Sequence, residues 1–154
     1  MNSIRILYID DYPLDRALVR DALVSEGKGF EVIEADSRQQ FERLLAEEHY
    51  DLVLSDFNIL GFTGLQVLDA VQAKSPQIPV IIVTGTGSEE IAAEAIKRGA
   101  ADYVIKSPQH IRKLPHTIQA ALDQKRLRRE RQFAIDALRA SEQKYRLLFD
   151  HAEV

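Results

Sequence analysis

The chain contains no cysteine. That absence removes three chemistries at once: a disulfide framework, a thiolate nucleophile and a Cys-ligated zinc site. Long apolar runs are missing too. The most apolar stretches, such as PVIIVT (Pro79 to Thr84), fall far short of bilayer-spanning length, and the N-terminus lacks a basic segment followed by a long apolar one. Neither a membrane span nor a secretory leader is expected, and a cytoplasmic location follows as the default. Low-complexity segments and solenoid-type repeats are absent as well.

What is present is an ordinary globular composition. The 154 residues are 45% hydrophobic and 29% charged, enough to bury a core in one domain with a tail. The net charge of −4 is unevenly spread. Residues 1–124 carry 19 acidic and 12 basic side chains, net −7, whereas residues 125–154 carry 5 and 8, net +3. A composition boundary therefore falls near Gln124.

In the first part, short β-branched runs alternate with helical patterns. The strand candidates are IRILYI (Ile4 to Ile9), FEVIEA (Phe30 to Ala35), DLVLSD (Asp51 to Asp56), PVIIVT and DYVIK (Asp102 to Lys106). Helix-period apolar sets lie between them at Phe41, Leu44 and Leu45, at Val67, Leu68 and Val71, and at Ile91, Ala92, Ala95 and Ile96. Four intervening helices and a fifth after the last strand are expected. The glycines, from Gly27 to Gly99, fall between or at the ends of these elements. The third and fourth strands are continuously apolar, which predicts burial on both faces in a parallel sheet between helix layers. The expected fold is α/β and flavodoxin-like: a five-stranded parallel sheet in the order 2-1-3-4-5, helices on both faces and an extended C-terminal helix.

In an open sheet of this kind ligands bind beyond the carboxyl ends of the strands. There the first strand ends in Asp10 and Asp11, the third in Asp56, the fourth in Thr84 and the fifth in Lys106. Two unit charges about 4 Å apart repel by roughly 4 kcal/mol at an effective dielectric near 20, so three clustered carboxylates call for a cation. Magnesium or manganese, hard ions that take oxygen ligands, suit such a set. Lys106 adds a positive point charge and Thr84 a hydroxyl. Together these groups suit phosphoryl transfer to a carboxylate. Taken singly, each has a plainer role: Asp10 or Asp11 as the cap of a helix starting near Pro13, Lys106 as a loop lysine, Thr84 as a strand-end residue. Their placement at one end of four strands favours the joint reading.

These residues, at these spacings in a five-fold βα pattern, resemble the receiver domain of two-component response regulators over residues 4 to about 123. The resemblance implies that Asp56 is the phosphoacceptor, that Asp11 binds the metal directly and Asp10 mainly through water, and that the Asn58 backbone carbonyl is a further metal ligand. It also implies Thr84 as the switch hydroxyl, Lys106 as the phosphoryl clamp and Tyr103 as the aromatic that turns inward after phosphorylation. The implied donor is a histidine kinase or a phosphotransfer protein. Three local features depart from the common pattern. Leu60 stands in DFNILGFTG where the family often has proline, Gly85 follows Thr84 in a glycine-rich loop GTGSEE that composition makes mobile, and Ser107 separates Lys106 from Pro108. A cis bond after Lys106, usual in receivers, would cost about 2.5–4 kcal/mol without proline.

From Pro115 the sequence runs helically with no further proline or glycine. Leu127, Ala134, Ser141 and Leu148 alternate with Arg131, Leu138 and Tyr145 at coiled-coil spacing, and five of these seven positions are apolar. A homodimer through this helix is one reading and a single amphipathic helix the other. The segment LRASEQKYRLLFDHAEV resembles the helix that enters a PAS sensor domain. The expected organisation is a receiver over 1–123, a signalling helix or coiled coil over 124–149 and the start of a truncated PAS-like module over 150–154. The segments DFNILGFTG, VTGTGSEE and AADYVIKS also resemble receivers found ahead of PAS domains in sensory histidine kinases, with a cyclase output as the alternative. The basic run KRLRRER (Lys125 to Arg131) lacks interleaved aromatics and a following helix-turn-helix pattern, so it reads as a solvated helix face, with no direct nucleic-acid contact expected. A competing enzyme class, phosphohydrolases of the haloacid dehalogenase type, also uses a strand-end aspartate. It needs a second aspartate two residues on, where this chain has Asn58.

Overall fold

The computed structural model describes residues 3–25, 29–85 and 87–152, with side chains through Phe149; Gly27, Thr86 of the GTGSEE loop and the last two residues of the expected PAS entry lie outside them. In chain order the elements are β1 (Ile4–Ile9), α1 (Pro13–Val24), β2 (Phe30–Ala35), α2 (Arg38–Glu47), β3 (Leu52–Ser55), β4 (Asn58–Ile59), β5 (Phe62–Thr63), α3 (Gly64–Lys74), β6 (Val80–Thr84), α4 (Glu89–Lys97), β7 (Asp102–Ile105), α5 (Pro108–Arg112) and α6 (Leu114–Ala152).

Five strands form one parallel sheet in the order β2-β1-β3-β6-β7, which is the expected 2-1-3-4-5 counted over its own strands. Strand alternation sends neighbouring side chains to opposite faces, and both faces are covered. Leu7, Ile9, Val53 and Ile82 join Phe41 of α2, Val67 and Val71 of α3 and Ala95 of α4 in one core. Ile6, Tyr8, Leu54 and Val83 join Val19 and Leu23 of α1, Ile111 of α5 and Leu114 and Ile118 of α6 in the other. Each fully buried aliphatic side chain contributes about 1.5–3 kcal/mol on leaving water, so two complete layers hold the sheet ends in fixed register.

Two features depart from the expected element list. A two-stranded antiparallel ribbon, β4 with β5, follows the sheet strand β3. Strands of two residues are too short to print a periodicity. The ribbon's turn is closed by Gly61 at φ 71°, a left-handed conformation that glycine enters without strain. The segment after β7 is also split: α5 is a five-residue helix and α6 starts anew at Leu114. Ser107 caps α5 by accepting from His110 N–H, and Pro108 occupies its first turn. The Lys-Ser-Pro order thus places a capping serine before a helix-starting proline, and the Lys106–Ser107 peptide is trans.

By its contacts the chain divides into two units, Met1–Leu122 and Asp123–Val154. The second unit is helical wherever it is described, and Arg126 to Arg131 are all exposed, the solvated face expected of the basic run. Its surface carries local pairs: Arg146 with Glu142 at 3.0 Å, Gln132 with Asp136 at 2.9 Å, and the rings of Tyr145 and Phe149 with centroids 4.6 Å apart. Among the described residues no helix is long and apolar enough to cross a membrane.

Candidate functional site

The acidic pair is placed by the end of β1. Asp10 N–H donates to Ala35 O and Asp56 N–H to Ile9 O, so both residues continue the sheet ladder for one step beyond the strands. Asp10 is fully buried. Its Oδ1 accepts from Tyr12 N–H at 3.0 Å and its Oδ2 from the Tyr8 hydroxyl at 2.8 Å. Tyr12 is the N-cap of α1 and no side chain caps that helix, so neither aspartate takes the plain capping role. Asp11 is exposed, and its Oδ2 accepts from Leu60 N–H at 3.1 Å, tying the pair to the ribbon turn.

Asp56 is 8% exposed. Its Oδ1 accepts from Phe57 N–H at 2.7 Å and its carbonyl from the Ser55 hydroxyl at 2.7 Å. Gly64 N–H donates to Phe57 O, and a Cβ at Gly64 would lie 2.9 Å from Asp56 O. Only glycine lets α3 begin this close to the backbone of the aspartate.

Lys106 follows β7, its N–H bonded to Thr84 O. Its Nζ lies 2.6 Å from Asp10 Oδ2, 2.8 Å from Asp15 Oδ2 and 3.3 Å from Asp56 Oδ2. Carboxylate oxygens of Asp10, Asp11 and Asp56 lie within 4.8 Å of one another. Burial holds the Asp56 carboxyl above its ordinary value, with the Asp10 charge pushing the same way and Lys106 and Phe57 N–H pulling back. For Lys106, burial alone would lower the pKa, but bonds to Asp10 and Asp15 outweigh it and keep the ammonium charged. Burial, and then the charge of Asp10, push the Tyr8 phenol upward, so it stays a donor to Asp10.

The other expected residues sit around this cluster. Thr84 ends β6, almost fully buried. Asn58 opens the ribbon, opposite Thr63. Tyr103 lies in β7, half-buried, its hydroxyl buried with no hydrogen-bond partner among the described residues. Burial and then the Asp56 charge hold its pKa up. A Cβ at Gly87 would crowd the end of the Ile105 side chain and lie 3.1 Å from the Tyr103 hydroxyl, so the loop runs close to β7 at this glycine.

Sequence reasoning missed three contributors. Tyr8 could have been found, since it lies two residues before Asp10 on the same strand face. Asp15 and Arg16 were masked by their position in α1, where charged residues are commonplace; Arg16 Nη1 donates to Asp10 O at 2.8 Å.

The donor set is oxygen-only, clustered and partly desolvated, which fits a hard divalent cation at Asp10, Asp11 and Asp56. The sheet and the sequence both have counterparts among known proteins. The family model for the response regulator receiver domain matches residues 6–119. The chain belongs to this family. The receiver is 37% identical over 121 residues to the transcriptional regulatory protein ZraR of Escherichia coli, covering 79% of this chain and 27% of that protein. To the response regulator protein FleR of Pseudomonas aeruginosa it is 34% identical over 102 residues, covering 66% and 21%. The receiver thus spans about a quarter of the length of these relatives. A solved CheY-like receiver domain from Methanospirillum hungatei superposes with a TM-score of 0.73 at 27% identity, over 82% of this chain and 99% of the other.

Proposed function

We propose that this receiver takes a phosphoryl group on Asp56 from a histidine kinase or phosphotransfer protein and passes the resulting change to a following module. The observation that carries this reading is one buried lysine whose Nζ reaches both Asp10 and Asp56 beside a third carboxylate. A carboxylate oxygen of Asp56 attacks phosphorus, and the bond to the donor's leaving group breaks. Lys106 and the Thr84 hydroxyl hold the phosphoryl oxygens. Asp10, Asp11, Asp56 and the Asn58 carbonyl would hold a magnesium or manganese ion, which supplies neutralisation of phosphoryl charge. The Thr84 and Lys106 movement biases the loop after β6, and Tyr103 follows.

In this reading the receiver occupies 1–123 and a signalling helix 124–149, which pairs with a second copy and leads into a PAS-like module in a cytoplasmic sensory kinase. The exposed stripe Leu138, Tyr145 and Leu148 supports the pairing. Mass spectrometry of the wild type and Asp56→Asn with a small phosphodonor and a divalent cation tests the assignment. Modification of the wild type alone is expected; equal modification of both proteins overturns it.

A further inference from the structure

Building on the phosphoacceptor reading, we propose that Asp15 is a positioning residue acting through Lys106: it holds the ammonium in the resting state and must release it when Asp56 is modified. A lysine ammonium has three N–H donors. Here three carboxylates face it, and the contact with Asp15 at 2.8 Å is shorter than that with Asp56 at 3.3 Å. The Lys106 side chain is 5% exposed, so water does not stand in for a lost partner.

The three partners differ in what they can give up. Asp10 is fully buried and would be left desolvated without the lysine. Asp15 is 31% exposed and lies in the first turn of α1, where solvent and the helix dipole stabilise its charge. Its neighbour Arg16 is engaged elsewhere, with Asp10 O and with Glu34 at 3.5 Å. Asp15 is therefore the partner whose carboxylate water can solvate once Lys106 exchanges it for a phosphoryl oxygen. It also places a fourth negative charge beside the incoming dianion. In the transfer, the new bond joins an Asp56 oxygen to phosphorus, the donor's leaving group departs with its electron pair, and Lys106 keeps its protons throughout.

Asp15→Asn keeps the shape and removes the charge. With acetyl phosphate as probe, the half-saturating concentration should fall and the phosphoryl lifetime should lengthen, each about three- to tenfold, the range of a partly buried charge pair. Asp15→Glu should move both values back toward wild type. In a Lys106→Met background the asparagine substitution should change neither. The metal-free protein gives a second readout: the ¹⁵N resonance of the Lys106 ammonium should shift in Asp15→Asn and less in Asp15→Glu. Unchanged or opposite values in Asp15→Asn, the same change without Lys106, or an unmoved resonance overturns this role for Asp15. Normal labelling of Asp56 alongside any of these leaves the phosphoacceptor reading standing. A wild type that takes no phosphoryl group overturns both.

Discussion

Leu54 and Leu138 are the same residue in opposite circumstances: the first is wholly buried between sheet and helices, the second 69% exposed on α6. The contrast holds for their units. In residues 1–122 the apolar runs of the central strands are consumed by two cores, and among the described residues the buried polar groups, Asp10, Ser55, Asp56 and Thr84, all fall at the carboxyl end of the sheet. In the second unit Leu127, Phe133, Leu138, Tyr145 and Leu148 lie open to solvent. One unit owes its stability to burial. The other owes its helix to backbone bonds and local pairs, and leaves its large apolar side chains exposed.

Substitution series can break or sharpen this contrast. Phe41→Ala should destabilise the first unit by about 3–5 kcal/mol in chemical denaturation, because the ring is fully buried and packs on Phe62 with centroids 5.9 Å apart. Gly64→Ala should cost about 1–3 kcal/mol, since the new methyl meets Asp56 O and Phe57 Cα, and it should disturb Asp56 labelling as well. Thr63→Ala removes the capping box it forms with Gln66 at the start of α3, an expected loss of about 1 kcal/mol. Leu138→Ala should change stability by less than about 0.5 kcal/mol. Its effect should appear in sedimentation, as a weaker dimer. Ending the chain at Gln124 should leave labelling intact and abolish self-association; an equally tight dimer without the tail would place the interface on the receiver.

The parts of this structure legible in the sequence were those written over many residues. Apolar, β-branched runs marked the sheet strands to within a residue or two, most plainly β3 and β6, where burial on both faces leaves little choice of composition. The clustering of Asp10, Asp11, Asp56 and Lys106 followed from strand order alone. Single-residue decisions stayed hidden. The β4–β5 ribbon depends on one left-handed glycine, the α5 start on one serine, and the Asp15 contact on which way a helix's first turn faces. The closeness of Gly87 to the Ile105 and Tyr103 side chains was likewise not legible, since it depends on where the loop after β6 meets β7.

Lys106 and Asp10 are 96 residues apart in the chain, and parallel β1 and β3 must pair before Asp56 reaches either. The like charges of the site therefore meet only after long loops have closed, a slow step in chain time. During synthesis the growing segment carries Asp56 far from the Asp10–Asp11 pair, and the two do not feel each other. Their repulsion arrives when β3 pairs with β1, before Lys106 has joined at the end of β7, so a nascent chain ending before β7 would hold its carboxylates together without that counter-charge.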